Sequence, residues 1–238
     1  MNQSVKKNPP NENAFINLLV NIAIPVLILN KLSQKIGPTQ ALILAVAFPL
    51  TYGIYDLIRR KKWNAFSLLG LLNVSITGSL AVFGLGGVWF QIKEAAFPLL
   101  IGIFVFASAY SKKPFIETLF LNPQLLKLDL IQEKLQQNQK AQTFHLHLRK
   151  CTLLLGGSFL ISSLLNFLLS SIIFVPLAND LSPDQKSILL NEQIAKMTTW
   201  STAVIMIPSM LMLGVILWYL FKGIRQMTGL KTDEFLHG

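Results

Sequence analysis

Six apolar runs, each long enough to cross a lipid bilayer, occupy most of this 238-residue chain. A helix needs roughly 20 apolar residues to cross about 30 Å of hydrocarbon. The chain is 52% hydrophobic and only 13% charged, and the uncharged stretch from Cys151 to Ala178 has no polar face to offer water. This pattern argues against a soluble helical bundle and predicts an all-α, polytopic transmembrane bundle. We predict spans at about 14–31, 40–58, 65–85, 92–110, 152–176 and 200–221.

The placement of the basic residues orients these spans. Loops on the cytoplasmic side of a membrane are enriched in Lys and Arg. With the N-terminus inside, most of the 21 Lys and Arg residues fall in cytoplasmic segments. The predicted outer segments carry only Lys31, Lys35, Lys93, Lys186 and Lys196. We therefore predict a multi-pass membrane protein with both termini in the cytoplasm, and we assign the net charge of +10 to anionic headgroups rather than to nucleic acid.

The predicted domain organisation follows from these spans. Residues 1–13 are polar and are expected to form a disordered cytoplasmic N-terminus. Residues 14–222 form one six-span membrane domain, and residues 223–238 form a cytoplasmic tail. The lipid bilayer is the expected partner, with membrane proteins or a second copy of the chain as further candidates.

The longest cytoplasmic loop, 111–151, carries two amphipathic patterns. In the second, Leu125, Leu128, Ile131 and Leu135 recur at helical spacing among polar residues. This spacing predicts interfacial helices lying on the inner leaflet, and a partner-docking helix fits it as well.

The last outer loop, 179–199, begins with a helix-start signal. Ser182 stands at the cap position, Pro183 at the first helical position and Gln185 three residues after the cap. This order predicts a capping box and a helix whose apolar residues press against the bundle.

A short sequence echo links the second and fourth spans. Ala47-Phe48-Pro49-Leu50 recurs as Ala96-Phe97-Pro98-Leu99, and Gly and Ile follow each copy at the same offset. Proline inside a helix removes one backbone hydrogen bond and kinks the helix. We predict kinks at Pro49, Pro98 and Pro208. The echo is either a duplicated pair of cavity-lining helices or a chance match between two apolar helices.

Polar residues within or beside the spans are the candidate functional residues. Asp56 lies three residues before Arg59 near the predicted inner end of span two, where a structural anchor is expected. Lys93 is expected to extend to the headgroups, whereas Glu94 becomes a proton or cation site if it turns inward near Pro98. The complete candidate set is Tyr52, Asp56, Arg59, Asn73, Lys93, Glu94 and Asn166.

The histidines and the cysteine of the chain do not form a recognisable catalytic or metal-binding pattern. The two imidazoles of His145 and His147 diverge by about 200° on a helix, which disfavours a zinc site. Cys151 is the only cysteine and is expected to be inert packing. The sequence shows no Gly-rich phosphate loop and no Ser/His/Asp arrangement. We therefore predict no enzyme activity, no cofactor and no metal.

An ordered series of short motifs resembles a known family. The stretch from Tyr52 to Phe115 resembles the bacterial intracellular septation protein A family, and the C-terminal third resembles a sister family of conserved membrane proteins, some described as transporters. The motifs shared with the septation protein A family are Tyr52-x-x-Tyr55-Asp56 leading to Arg59, Trp89-Phe90-x-x-Lys93, Lys112-Lys113-Pro114 and Asn166 after Phe159. The motifs shared with the sister family are Met197-Thr198, Ser201, Pro208-Ser209-Met210 and Thr228-Gly229-Leu230.

The resemblance implies a polytopic inner-membrane protein with a non-enzymatic role in cell-envelope maintenance or septation. The chain departs from septation protein A in its long outer loop, 182–200, and in its tail. The alternative is a small secondary transporter with a polar cavity between the kinked helices. Such a transporter needs a pocket at mid-depth that water reaches, lined by Tyr52, Asn73, Glu94 or Asn166.

Overall fold

The computed structural model describes residues 23–60, 65–83, 85–123, 125–178 and 180–236, and these residues form an all-helical fold. The long helices are α3 (Pro38–Arg60), α4 (Ala65–Val82), α5 (Val88–Ser108), α8 (Ala141–Ile173), α9 (Pro183–Ser201) and α10 (Ile207–Thr228). The short helices are α1 (Ile24–Leu27), α2 (Ser33–Ile36), α6 (Phe115–Phe120), α7 (Leu128–Gln137) and α11 (Thr232–Phe235). Two π-helical segments, Ile28–Leu32 and Thr202–Met206, connect α1 to α2 and α9 to α10.

Four helical stretches within the described residues are long and apolar enough to cross a membrane. They are Pro38–Tyr55, Val88–Ser108, Ala141–Ile173 and Pro183–Thr228. Large apolar side chains cover their surfaces, including Leu100, Phe104, Leu211 and Val215, all of which are exposed. An apolar surface of this extent indicates contact with lipid. The protein is therefore an all-helical protein with four candidate membrane spans.

The six-span prediction is matched in part. The predicted span 14–31 begins outside the described residues, and the predicted span 65–85 coincides with α4, which is not among the four candidates. The predicted span 152–176 overlaps α8, which begins eleven residues before the predicted start and ends three residues before the predicted end. The number of spans and the inward orientation of both termini stay predictions.

The chain divides into two compact units. The first unit comprises Met1–Lys93 and Leu169–Ser201, and the second comprises Glu94–Leu168 and Thr202–Gly238. The core of the second unit joins α5, α6, α7, α8, α10 and α11, and Ile116, Leu135, Leu220 and Phe235 are almost completely buried in it. The predicted cytoplasmic loop and the C-terminal segment thus belong to one hydrophobic core.

The first unit is organised around α9. Ser182 and Gln185 form the predicted capping box, with Ser182 N donating to Gln185 Oε1 at 3.0 Å and Gln185 N donating to Ser182 Oγ at 3.3 Å. Ile194 and Met197 are buried as expected, whereas Leu189 is exposed and Leu190 takes the inward position. Asn191 Nδ2 donates to Pro38 O at 2.9 Å and to Ser33 Oγ at 3.2 Å.

Two side chains at the start of α5 are buried. Phe90 stacks on Phe174 with ring centroids 4.5 Å apart, whereas its neighbour Trp89 is exposed. Lys93 is only 8% exposed, so its side chain does not extend freely along the surface. Both residues lie in the first unit, where α5 packs against the chain rather than lining its exterior.

Candidate functional site

A cleft in the second unit lies among α6, α7 and the start of α8. We call it the α6–α8 cleft, and its volume is about 580 Å³. Apolar side chains form most of its wall, and polar side chains of both charges stand among them. Its lining comprises Lys113, Glu117, Thr118, Leu121, Pro123, Leu128, Ile131, Gln132, Leu135, Gln136, Ala141, Phe144, His145 and Leu148.

The apolar wall comes from the amphipathic pattern of α7. Leu128, Ile131 and Leu135 recur at intervals of three and four residues and therefore share one face of the helix. Ile131 and Leu135 are each 2% exposed, because this face packs into the core of the second unit. The prediction that α7 rests this face on lipid is therefore wrong. Contact with the chain's own apolar helices removes this face of α7 from water, as contact with lipid would.

The turn that ends α7 is held by hydrogen bonds. Asn138 Nδ2 donates to Met227 O at 2.9 Å, and Lys140 N donates to Leu135 O at 2.8 Å. Gln139 adopts the left-handed conformation, with φ of 55°, which reverses the chain toward α8. The angle between α7 and α8 is thereby defined by backbone contacts as well as by packing.

The opposite wall, α6, is anchored at its first turn. Pro114 precedes the helix and is buried, and Ile116 N donates to Thr152 Oγ1 on α8 at 3.3 Å. Ser108 Oγ accepts from Phe115 N at 3.3 Å. These bonds satisfy N–H groups that a short helix leaves without intrahelical partners. Glu117 of the cleft lining is therefore carried on an anchored helix, and Lys113 lies just before that helix begins.

The C-terminal segment supports α7 from the other side. Lys127 N donates to Phe235 O at 2.8 Å, and Leu126 pairs with Leu236 in an isolated antiparallel bridge. Phe235 is completely buried and packs near Phe221, with ring centroids 6.0 Å apart. Residues 232–236 of the predicted tail thus form part of the structure that positions the cleft.

Basic and aromatic side chains pair at two places in the second unit. The Arg149 guanidinium lies 4.0 Å from the centroid of the Tyr110 ring, and the Lys222 ammonium lies 4.9 Å from that of Trp218. Tyr110 and Trp218 are both exposed. Aromatic and basic side chains together are typical of the boundary between hydrocarbon and water. Arg149 directly follows the lining residue Leu148.

The structure places the candidate polar residues apart from this cleft. Tyr52 and Glu94 are half-buried, and the side chains of Asp56 and Arg59 lie outside the part that the structure describes. The Asn166 side chain bonds within its own helix, with Nδ2 donating to Ser162 O at 2.8 Å. At Asn73 the bond involves the backbone, whose carbonyl accepts from Thr77 Oγ1 at 2.9 Å.

The echoed prolines lie inside continuous helices. Pro49 is within α3 and Pro98 within α5, whereas Pro208 follows the π-helical segment at the start of α10. Near Pro98, Ser163 Oγ donates to Ala95 O at 2.8 Å, so a serine of α8 bonds to the backbone one turn before the proline. Such a bond compensates for backbone disturbed by proline in an apolar setting.

Two further clefts lie within the first unit. One of about 740 Å³ is formed by the α4–α5 turn and the segment leading into α9, and one of about 490 Å³ lies between α3 and α4. Tyr52, Asn73, Glu94 and Asn166 line neither of these clefts nor the α6–α8 cleft. The transporter hypothesis, which needs a pocket lined by these residues, therefore gains no support from these three clefts.

The single cysteine lies beside a histidine, away from other metal-ligating side chains among the described residues. Cys151 is completely buried, as expected for packing, and its sulfur lies 3.6 Å from His147 Nε2. Across the described residues, no three His, Cys, Asp or Glu side chains are grouped to hold a metal ion. The α6–α8 cleft, with its apolar wall and mixed polar rim, is the site that sequence reasoning missed. The amphipathic pattern of 115–135 was its only signal.

The fold and the cleft define a class of protein, namely an all-helical protein with candidate membrane spans and with short helices packed into the core of its second unit. No protein-family model, curated protein or solved structure matches the chain. The resemblance to the septation protein A family is therefore left as an expectation from its motifs.

Proposed function

We propose that this chain is a non-enzymatic, multi-pass protein of the bacterial inner membrane that serves cell-envelope maintenance or septation through membrane partners. The observation that carries the proposal is the module formed by α6, α7, the start of α8 and α11. These segments fold onto the ends of apolar helices and share one core with them. A rigid polar surface joined to candidate membrane spans is suited to recruiting or positioning other membrane components.

Charge supports the proposed orientation of this module. Its exposed residues include Lys112, Lys113, Lys140 and Lys150, which would face anionic lipid on the cytoplasmic side. Each such charge near an anionic surface contributes about 1 kcal/mol of attraction. The proposal keeps six spans with both termini inside, and it keeps the family resemblance as a supporting argument.

Deletion of the coding sequence in its bacterial host tests the role. We expect altered septum placement or weakened envelope integrity under osmotic or antibiotic stress, measured by microscopy and survival. Re-expression of the unchanged chain should restore the phenotype. The variant Phe235→Asp, which puts a charge into the module's core, should not restore it, whereas the exposed-site variant Asp233→Asn should. Unchanged morphology and survival in the deletion strain would contradict the proposal.

A further inference from the structure

We propose that the α6–α8 cleft binds a singly charged anionic phospholipid of the surrounding bilayer. The headgroup would lie among the polar residues of the rim, and the upper part of an acyl chain would lie along the apolar wall. This inference rests on the proposed membrane function and names the ligand of the module.

The lining of the cleft matches the two parts of such a lipid. Leu121, Leu128 and Phe144 offer apolar surface to a hydrocarbon chain. Lys113 and His145 offer N–H donors to a phosphate, and Gln132 and Gln136 offer neutral donors and acceptors. Phosphate oxygens favour charged donors, which form shorter and stronger hydrogen bonds than neutral ones.

The carboxylate of Glu117 restricts the charge of the ligand. It lines the same cleft as Lys113 and therefore disfavours a ligand with several negative charges. A phosphodiester with one negative charge fits this balance better than a free phosphate or a polyphosphate. The cleft, at about 580 Å³, lies within the usual range of about 300–1,000 Å³ for ligand sites. It is smaller than a whole two-chain phospholipid, so the chain ends would remain in the bilayer.

Two observations place the cleft at headgroup level. Leu148 of the lining directly precedes Arg149, which lies over the exposed Tyr110 ring. Lys113 of the rim follows Tyr110 by three residues. Because an aromatic ring with a basic partner favours the interface between hydrocarbon and water, a bilayer lipid can reach the cleft from the side.

The wall of the cleft is formed before any ligand binds. Ile131, Leu135 and Leu148 are each almost fully buried, and the bonds of Ile116 and Asn138 hold α6 and α7 in place. A preformed site avoids the cost of ordering side chains on binding. Specific retention of a lipid is therefore expected even after the protein is extracted into detergent.

The test uses the full chain, purified in detergent and stripped of lipid. Native mass spectrometry would measure binding of phosphatidylglycerol, with phosphatidylcholine of the same chain length for comparison and inorganic phosphate as competitor. Two matched pairs of variants distinguish lipid binding in the cleft from general electrostatic attraction to the protein surface. Lys113→Gln removes a cation of the lining, and Lys112→Gln removes its exposed neighbour. Gln136→Trp obstructs the cleft, and Gln137→Trp places the same bulk on an adjacent exposed position outside it.

We expect phosphatidylglycerol to bind more tightly than phosphatidylcholine, and Lys113→Gln to weaken phosphatidylglycerol binding about fivefold. Gln136→Trp should weaken it at least as much, while Lys112→Gln and Gln137→Trp leave it unchanged, with thermal unfolding of all four variants close to that of the parent. Equal losses within either pair would show general surface attraction and overturn the proposal. Equal binding of the two lipids, or displacement by millimolar phosphate, would also overturn it. None of these results depends on the deletion phenotype, so the two proposals fail separately.

Discussion

Two buried amide side chains on α9 show how single polar residues define the first unit. Asn191 bonds to Ser33 and to the carbonyl of Pro38, next to Gly37, whose φ of 92° makes the turn into α3. Gln193 Nε2 donates to Val175 O at 3.2 Å, and its buried Oε1 has no hydrogen-bond partner among the described residues. Buried amides restrict the register of a helix because shifting it would leave their groups unpaired.

The variant Asn191→Ala tests whether this buried amide stabilises the first unit. Loss of the amide leaves buried polar groups of the α2–α3 turn without a donor, which costs about 1–3 kcal/mol. The exposed Lys196→Ala on the same helix is the matched control and should change little. Thermal unfolding in detergent measures both. Equal midpoints for the two variants would contradict the role assigned to Asn191.

A second residue-scale prediction concerns the close approach of α5 and α8 in the second unit. A methyl group at Gly156 would lie 2.6 Å from the Phe106 ring, whereas one at the adjacent Gly157 would meet nothing within 4 Å. Gly156→Ala should therefore destabilise the protein by about 1–3 kcal/mol through overpacking. The unfolding midpoint should fall by about 2–4 °C per kcal/mol. Gly157→Ala should leave the midpoint unchanged or raise it slightly, because alanine favours a helix interior over glycine, and the reverse order would refute this packing.

At the scale of elements, the sequence predicted short-range features of helices better than the contacts that cover them. The capping box at Ser182 was readable because its bonds connect residues three apart. The apolar face of α7 was equally readable from Ile131 and Leu135. Periodicity gives the apolar face, however, and does not say whether lipid or protein covers it. The contacts of α7 with Met227 and Phe235 join residues about one hundred positions apart, for which no local pattern exists.

The α9 capping box gives the prediction at this scale. Ser182→Ala removes the side-chain acceptor for Gln185 N and should cost about 1 kcal/mol. Faster amide hydrogen exchange should be confined to the first turn of α9, because the buried residues near Leu190 still hold the rest. Ser187→Ala is the control, since that hydroxyl donates only to a carbonyl of its own helix, Pro183 O, at 3.0 Å. Equal exchange in both variants would contradict the capping role.

At the scale of the whole molecule, hydropathy predicted the class and most of the long helices. It did not predict the division into two units, because that depends on which helix faces meet. It also selected Tyr52, Glu94 and Asn166 as candidate site residues, since polar groups in apolar segments are conspicuous. The cleft arises instead from ordinary amphipathic residues that fold together, and no single residue of it is unusual in the sequence.

The orientation of the chain is the prediction at this scale. We expect Asp129→Cys to resist an impermeant maleimide in intact bacteria and to react after the membrane is permeabilised, because the basic residues around α7 favour the cytoplasm. The parent protein supplies the background, since its single cysteine is fully buried. Mass spectrometry or a gel shift measures the extent of maleimide labelling. Labelling of intact cells would overturn the proposed topology and the inner-leaflet position of the cleft.

Lys127 Nζ donates a hydrogen bond to Glu234 O, which lies 107 positions later in the chain. This separation has a consequence for biosynthesis. Translation at roughly 5–20 residues per second implies a delay of about 5–20 s before Phe235 reaches Leu126. During that interval the apolar side of the nascent module has no internal cover. Newly made chains would depend on the insertion machinery, a chaperone or the membrane itself to cover this apolar surface. A ribosome stalled within this interval would leave an aggregation-prone intermediate, which quality-control proteases would degrade.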